Sequence, residues 1–137
     1  MILIITNERD LTTDFVVREL KRRGRDHFRL NTNAIANMSF ALDPTVMSLV
    51  VSSGEKRVEI NQVRAGYFRR PELPDLKKLD HAGLRAYAST EWSALLKSLY
   101  LLIGSRWVSH PRDILIAEDK PSQIYLAKRL GLNVPDT

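Results

Sequence analysis

The sequence contains no cysteine at all, and its apolar runs are short. Without cysteine the chain has no disulfides, no thiolate chemistry and no zinc–sulfur site. Runs such as residues 99–103 fall far short of the ~20 apolar residues that a membrane-spanning helix needs, so no membrane contact is expected. The apolar start, residues 1–6, lacks the basic lead-in of a signal peptide. Nothing marks the chain for export, and the cytoplasm is the expected compartment.

Several catalytic and binding motifs are also missing. The turn at residues 6–14 contains no glycine, which excludes the dinucleotide-binding fingerprint, and there is no Walker lysine loop. His27, His81 and His110 are far apart, and none stands in a metal-ligand pattern. No serine stands in a G-x-S-x-G elbow. We therefore expect neither a catalytic residue nor a metal site in this chain.

The chain has the composition of an ordinary globular protein, with a positive net charge. It has 137 residues, 44% of them hydrophobic, which fits about one folded domain. Its 21 lysines and arginines exceed its 16 acids, giving a net charge of +5. The two signs are interleaved, and the densest basic run, at 21–25, suits the negative end of a predicted helix. Nucleic-acid binding is therefore the less favoured interpretation, and a steep loss of binding with salt would be needed to support it.

The order of hydrophobic patterns predicts an α/β fold. Residues 1–6 are typical of a buried strand. Asp10 is the expected cap of a helix that ends at Gly24, and residues 27–31 are typical of a second strand. Strand, helix and strand begin a parallel sheet. Alternating polar and apolar side chains beside residues 54–55 then indicate a hairpin. The expected architecture is a small open, mainly parallel Rossmann-like sheet with flanking helices and an inserted antiparallel β-hairpin.

The second half begins with a strand and a long helix. Residues 65–71 are a predicted strand that ends at a proline, and residues 82–103 keep apolar side chains at steps of three and four. Asp80 is the expected cap of this helix and Gly104 its stop. Residues 106–109 are then predicted to form a short strand.

Two neighbouring arginines, Arg69 and Arg70, stand at the carboxyl end of the predicted strand 65–71. Ligands of open α/β sheets bind at these strand ends, and a guanidinium matches a carboxylate or a phosphate. Arginine is seldom buried without a partner, so both are candidates for substrate binding. The alternative is that one or both only pair with nearby acids such as Glu72 or Asp75.

The last predicted helix starts with an unusual lysine. Asp119 can cap this helix, Pro121 is tolerated in its first turn, and Gly131 allows a Schellman end with Leu132. A cation at Lys120 opposes the positive end of the helix dipole, unless an anion binds there as well. The pattern alone favours a solvated lysine.

These residues, in this order, resemble a known family. The strand 67–71, the long helix bearing Glu91 and Trp92, and the segment 106–137 are similar to the N-terminal, pre-ATP-grasp part of ATP-grasp ligases. The likeness is greatest to the maturases of ribosomally made peptides, the microviridin-type cross-linking enzymes. It is looser to glutathione synthetase and to the ribosomal-protein glutamate ligases. It covers nearly the whole chain and is weak through the hairpin.

The resemblance implies a pre-ATP-grasp domain over residues 1–117. Residues 118–137 would be a linker helix and an extended segment, 133–137, leading toward an ATP-grasp domain. The parent activity would join a carboxylate to an amine or hydroxyl of a peptide or protein, through an acyl phosphate made with ATP and Mg²⁺. Lys120 matches a family lysine that reaches the ATP phosphates, and Arg69 and Arg70 lie where related enzymes bring N-terminal residues toward substrate.

The sequence departs from the family pattern after residue 137, where the lid lysine and the acidic magnesium ligands of an ATP-grasp domain should follow. Without them the charge on a transferring phosphoryl group is not stabilised, so this chain alone is expected to be inactive and to bind neither ATP nor Mg²⁺. The competing hypothesis is a non-catalytic α/β module that binds a peptide or partner protein, for example along the hairpin edge. Reading the gene beyond the codon for residue 137 would separate the two. Surface meant for a missing neighbour also predicts a homo-oligomer.

Overall fold

The computed structural model describes residues 1–135. The six strands are β1 (Ile2–Thr6), β2 (His27–Asn31), β3 (Ser39–Asp43), β4 (Ser48–Ser53), β5 (Lys56–Glu59) and β6 (Ala65–Phe68). The four α-helices are α1 (Leu11–Arg22), α2 (Ala82–Ile103), α3 (Pro111–Ala117) and α4 (Lys120–Arg129). The prediction that residues 133–137 are extended includes Asp136 and Thr137, which lie outside the described residues.

A parallel three-stranded sheet contains the start of the chain. Its strand order is β2-β1-β6, and Ile2 lies opposite both His27 and Ala65. Leu3, Ile4 and Ile5 are fully buried, as expected for a central strand covered on both faces. The strand–helix–strand pattern predicted from the first 31 residues is confirmed.

A second, antiparallel sheet has the strand order β3-β4-β5. The predicted hairpin around Gly54 is confirmed as the β4–β5 connection, and Gly54 has the positive φ of 57° that such a turn requires. The sheet also contains β3, which was not predicted. Of the five β3 residues only Phe40 is partly buried, so the strand has too little hydrophobic alternation to stand out.

Two predicted boundaries in the second half are wrong. Strand β6 ends at Phe68 and not at Pro71, because the backbone leaves the extended region and reaches a φ of 43° at Arg70. Helix α2 is capped by His81 and not by Asp80, since the His81 Nδ1 accepts the Gly83 N–H at 3.1 Å.

The predicted strand 106–109 is reduced to a single bridge. A 3₁₀ turn, Gly104–Arg106, follows α2, and only Trp107 then pairs with Gly66 in β6. The Val108 N–H donates to the Gly66 carbonyl at 2.9 Å. The positive φ of Gly104, 59°, confirms that α2 ends there.

Helix α2 covers the core mainly from Trp92 onward. Leu96, Leu99 and Ile103 are buried, whereas Leu84 and Tyr87, in the first half, are exposed. The apolar pattern that predicted the helix therefore continues beyond the surface that the helix buries. A wide apolar stripe predicts a helix, but it does not show how much of that helix packs on the sheets.

Three aromatic rings join β6 to the end of α2. The Trp107 ring meets Phe68 edge-on at 6.0 Å and Tyr100 at 5.9 Å, and its Nε1–H donates to the Tyr100 carbonyl at 3.0 Å. The ring packs against Gly66, where an added Cβ atom would clash with the Trp107 Cε3. Only glycine leaves this space for the indole.

We expect Gly66→Ala to lower the free energy of unfolding by about 1–3 kcal/mol, because the added methyl group overpacks against Trp107. Urea unfolding of the variant and the parent chain measures this. The matched test repeats Gly66→Ala in a Trp107→Leu background, where the smaller side chain should reduce the cost. An equal cost in both backgrounds would show that the indole is not the cause.

Candidate functional site

Three loops meet at the carboxyl ends of the parallel strands. They follow β1 at Asn7, β2 at Thr32 and β6 at Arg69. Thr32 is fully buried and ties two of them together, since its hydroxyl accepts the Glu72 N–H at 2.8 Å. This edge is where ligands of open α/β sheets bind.

Asp10 is the central acid of this edge. It caps α1, and its carboxylate accepts hydrogen bonds from the Thr6 hydroxyl at 2.9 Å, the Thr13 hydroxyl at 2.7 Å and the Thr13 N–H at 3.2 Å. Both threonines are fully buried, and Asp10 is only 7% exposed. The Arg69 guanidinium adds an ion pair, with 3.3 Å between its Nε and the Asp10 Oδ2. The predicted cap of the first helix is confirmed.

The surroundings of Asp10 favour its charged form. Burial by itself raises the pKa of this carboxyl, but the hydrogen bonds from Thr13 and Thr6 and the charge of Arg69 together outweigh it. The pKa falls from 3.8 to about 2. The carboxylate therefore stays ionised at neutral pH and holds its three partners in place.

Arg69 pairs with an acid 59 residues away in sequence. Its Nε contacts Asp10, and its Nη2 donates to the Thr12 hydroxyl at 3.3 Å. The sequence suggested Glu72 or Asp75 as pairing acids, whereas the observed partner lies at the start of α1. The side chain remains one-third exposed, so part of the guanidinium still faces solvent.

Arg70 has a strained backbone that a buried asparagine stabilises. Its φ of 43° is rare for a residue with a long side chain. The Asn7 Nδ2 donates to the Arg70 carbonyl at 2.6 Å, while the Asn7 Oδ1 accepts the Arg9 N–H at 2.8 Å. Asn7 is 5% exposed, so its amide is fixed by packing. The Arg70 side chain is exposed and, within residues 1–135, has neither a hydrogen bond nor an ion pair.

Sequence reasoning missed Asn7. The signal available was its place directly after a buried strand, where asparagine often bonds to the backbone two residues on. That bond is present, from Arg9, but the contact with Arg70 joins residues 63 apart in sequence. Only the pairing of β1 with β6 brings the two together.

A cleft of about 620 Å³ opens beside Arg70. It is lined by Asn7, Arg9, Asp10, Leu11, Thr12, Phe68, Arg70, Pro71, Glu72, Ile114, Leu115 and Glu118. One wall is the sheet edge and the other is α3. The lining combines apolar side chains with two arginines and three acids. Asp10 is already paired with Arg69, whereas Arg70 is an unpaired cation within residues 1–135, so a molecule with both a hydrocarbon part and an anionic group can bind beside Arg70.

Lys120 is not among the residues that line this cleft. It is the first residue of α4, and its Nζ donates to the Gln123 side chain at 3.0 Å. The predicted start and end of α4 are confirmed. Asp119 accepts the Ser122 N–H at 3.0 Å, and the Leu132 N–H reaches the Ala127 carbonyl at 3.0 Å in a Schellman end. The structure thus brings Arg69 and Arg70 to one edge and leaves Lys120 exposed elsewhere.

The part of the chain that the structure describes contains neither a metal-binding cluster nor a membrane-spanning helix. No group of three or more histidine, aspartate and glutamate side chains there is placed to hold a metal ion. No helix in that part combines the length and the apolar character needed to cross a bilayer.

The parallel sheet, its polar carboxyl edge and the cleft define a small α/β domain of the pre-ATP-grasp type. The chain belongs to the MvdD pre-ATP grasp domain family, whose model matches residues 1–114. The resemblance seen in the sequence is thereby confirmed. A comparison with curated proteins finds no match.

Solved structures of two macrocyclases and of an ATP-grasp ligase share this fold. The macrocyclase MdnB from Microcystis aeruginosa MRC superposes with a TM-score of 0.89 at 24% identity, over 98% of this chain and 46% of that one. The macrocyclase MdnC from the same organism, bound with precursor peptide MdnA, gives a TM-score of 0.82 at 23% identity, over 98% and 45%. The ATP-grasp ligase PsnB, complexed with minimal precursor, Mg and ADP, gives 0.73 at 25%, over 98% and 44%. This chain spans less than half the length of these proteins.

We expect Asp10→Asn to lower the free energy of unfolding at pH 7 by about 2 kcal/mol. This is the free energy that corresponds to the lowered pKa of the Asp10 carboxyl. Because the folded pKa lies below the unfolded one, this contribution is complete above pH ~4 and is lost as the pH falls toward 2. The difference between variant and parent should therefore shrink over that interval. Denaturant unfolding at several pH values measures it. The same substitution at the exposed Asp80 is the control, and an equal effect there would contradict the assignment.

Proposed function

We propose that this chain is the pre-ATP-grasp part of an ATP-dependent ligase that modifies a ribosomally made peptide or protein. The observation that carries this proposal is the family match over residues 1–114, supported by the likeness to MdnB over 98% of the chain. Of the three similar structures described above, two contain precursor peptides and one contains Mg and ADP. The cytoplasm, which supplies ATP, is the compartment we propose.

The proposed reaction forms an ester or amide in two steps. A substrate carboxylate attacks the γ-phosphorus of ATP, and ADP leaves. An amine or hydroxyl then attacks the acyl carbon, phosphate leaves, and the nucleophile loses its proton. Both steps develop charge that cations must stabilise. Residues 1–135 offer no metal-binding cluster, so we assign most of the ATP and Mg²⁺ binding to a C-terminal ATP-grasp domain. Lys120, exposed at the start of α4, is the residue that we assign to the ATP phosphates.

We assign the cleft at the sheet edge to the substrate, with Arg70 as its principal ligand. The guanidinium of Arg70 has no partner within the described residues and borders a cleft that also has apolar walls. A peptide segment with an acidic side chain provides the carboxylate that the proposed reaction activates, and a guanidinium matches it. We also assign Arg69 to substrate binding, although it does not line the cleft itself, and its bond to Asp10 gives it a second, structural role.

The alternative function is a non-catalytic module that binds a peptide or protein. One observation favours it, namely that β3 lies at an edge of its sheet with four of five residues exposed. An extended segment can add to such an edge through backbone hydrogen bonds. This function requires neither ATP nor a further domain.

The ligase function predicts a mass change in a peptide. The protein to test is this chain with whatever the gene encodes beyond residue 137, mixed with ATP, Mg²⁺ and the precursor peptide encoded nearby. We expect ADP release and loss of one water per linkage by mass spectrometry, while residues 1–137 alone should show neither. Peptide binding without ADP release or mass loss would favour the non-catalytic module. ATP turnover by residues 1–137 alone would contradict our assignment of the chemistry to another domain.

Arg70 should affect peptide use more than folding. In the same assay we expect Arg70→Gln to raise the KM for the precursor by about tenfold or more, because one charge-assisted hydrogen bond is lost. Asn7→Ala should act in the same direction, since it frees the strained Arg70 backbone. Arg57→Gln, an exposed cation on β5, is the matched control. Equal KM values for Arg70→Gln and Arg57→Gln would remove Arg70 from the substrate site.

A further inference from the structure

A recess of about 350 Å³ lies between the end of α1, the start of β2 and the β4–β5 hairpin. It shares no lining residue with the cleft beside Arg70. The residues that line it are Val17, Lys21, His27, Phe28, Arg29, Ser53 and Lys56. Lysine, arginine, histidine and serine are among them, but aspartate and glutamate are not. The recess therefore gathers cations and hydrogen-bond donors without a carboxylate in its lining.

Two of these cations, Lys21 and Lys56, are free. Both side chains are exposed, and within residues 1–135 neither makes an ion pair or a hydrogen bond. Arg29 differs, since it pairs with Asp14 and its Nη2 donates to the Asn7 carbonyl at 2.8 Å. Two free ammonium groups at one recess repel each other, and an anion between them relieves this repulsion.

Ser53 and His27 add uncharged polar groups to the recess. Ser53 lies opposite Lys56 across the hairpin and is half-buried, and its hydroxyl has no hydrogen bond within the described residues. The His27 Nδ1 lies 3.0 Å from the Arg25 carbonyl oxygen. Because a carbonyl only accepts, this Nδ1 carries a proton and donates, and Nε2 is the ring nitrogen left for another partner. With a second proton on the ring, Nε2 is a further donor.

We propose that this recess binds a phosphate dianion, either free or as the phosphate group of a small phosphomonoester. Lys21 and Lys56 supply two positive charges, and Ser53 and His27 supply hydrogen bonds. A carboxylate has one charge and two oxygens, whereas a phosphate group has nearly two charges and at least three acceptor oxygens. The tetrahedral dianion thus matches donors that come from three different elements. The volume also suits a small molecule.

A phosphate bound here joins the two sheets. Lys21 belongs to α1 and His27 to β2 of the parallel sheet, whereas Ser53 and Lys56 belong to the antiparallel hairpin. An anion that binds only the folded chain stabilises it by mass action, so phosphate should raise the unfolding temperature. This site does not depend on the proposed ligase function, because it uses neither the cleft nor Lys120.

The first test measures binding to the 137-residue chain at pH 7 and constant ionic strength by isothermal titration calorimetry. Inorganic phosphate, glycerol phosphate and acetate are compared. We expect saturable binding of the two phosphates and none of acetate, and the tighter phosphate identifies the natural form of the anion. Lys56→Gln should weaken phosphate binding about tenfold, since one charge-assisted hydrogen bond is lost. Arg57→Gln is the matched control, because neighbouring residues of β5 point to opposite faces.

Three results of this titration would overturn the proposal. They are no saturable binding of either phosphate, equal binding of acetate, and equal weakening by Lys56→Gln and Arg57→Gln. The last result would show that phosphate responds to net charge and not to this recess.

The second test locates the anion by NMR. On adding inorganic phosphate we expect shifts of the His27 ring signals and of the Ser53 amide, and Lys21→Gln should reduce both. Shifts confined to Asn7 and Arg70 would place the anion in the cleft and overturn the proposal. Displacement of phosphate by single-stranded DNA at far lower concentration would also overturn it, because the surface would then be a nucleic-acid site.

Discussion

The bond between Asp10 and its partners connects the elements on which the site depends. Its carboxylate joins the end of β1, through Thr6, to the first turn of α1, through Thr13, and to the loop after β6, through Arg69. Such a buried charge is tolerated because hydrogen bonds and a guanidinium surround it. If the acid were absent, the buried hydroxyls would lose their acceptor and Arg69 its partner. The shape of the sheet edge follows from this one ionised group.

The strongly patterned elements of the fold could be predicted from sequence. Residues 2–6 form a continuous buried run, while the segment His27–Asn31 and the long helix Ala82–Ile103 bury apolar side chains at a regular period. Strand β3 could not be found in this way, because its pairing with β4 is made by backbone groups and its side chains are mainly exposed. Periodicity detects burial, and β3 contributes little of it.

The site was predictable in location but not in detail. The rule that ligands bind at strand ends pointed to Arg69 and Arg70, and both lie at that edge. Each arginine is held by a partner far away in sequence. The Arg69 guanidinium pairs with Asp10, and the Arg70 backbone carbonyl accepts a hydrogen bond from Asn7. Such pairs are set by strand order, which local spacing does not contain. The same limit explains why the sequence suggested the wrong pairing acids for Arg69.

The single bridge between Gly66 and Trp107 has a mechanical consequence for the cleft. The chain returns to the parallel sheet at this one ladder position before it continues into α3. One side of the cleft is thus part of a rigid sheet, while the other side, with Ile114 and Leu115, is attached through a narrow joint. The position of this second wall therefore depends on how Trp107 packs against Gly66, Phe68 and Tyr100, and not on a strand ladder of its own.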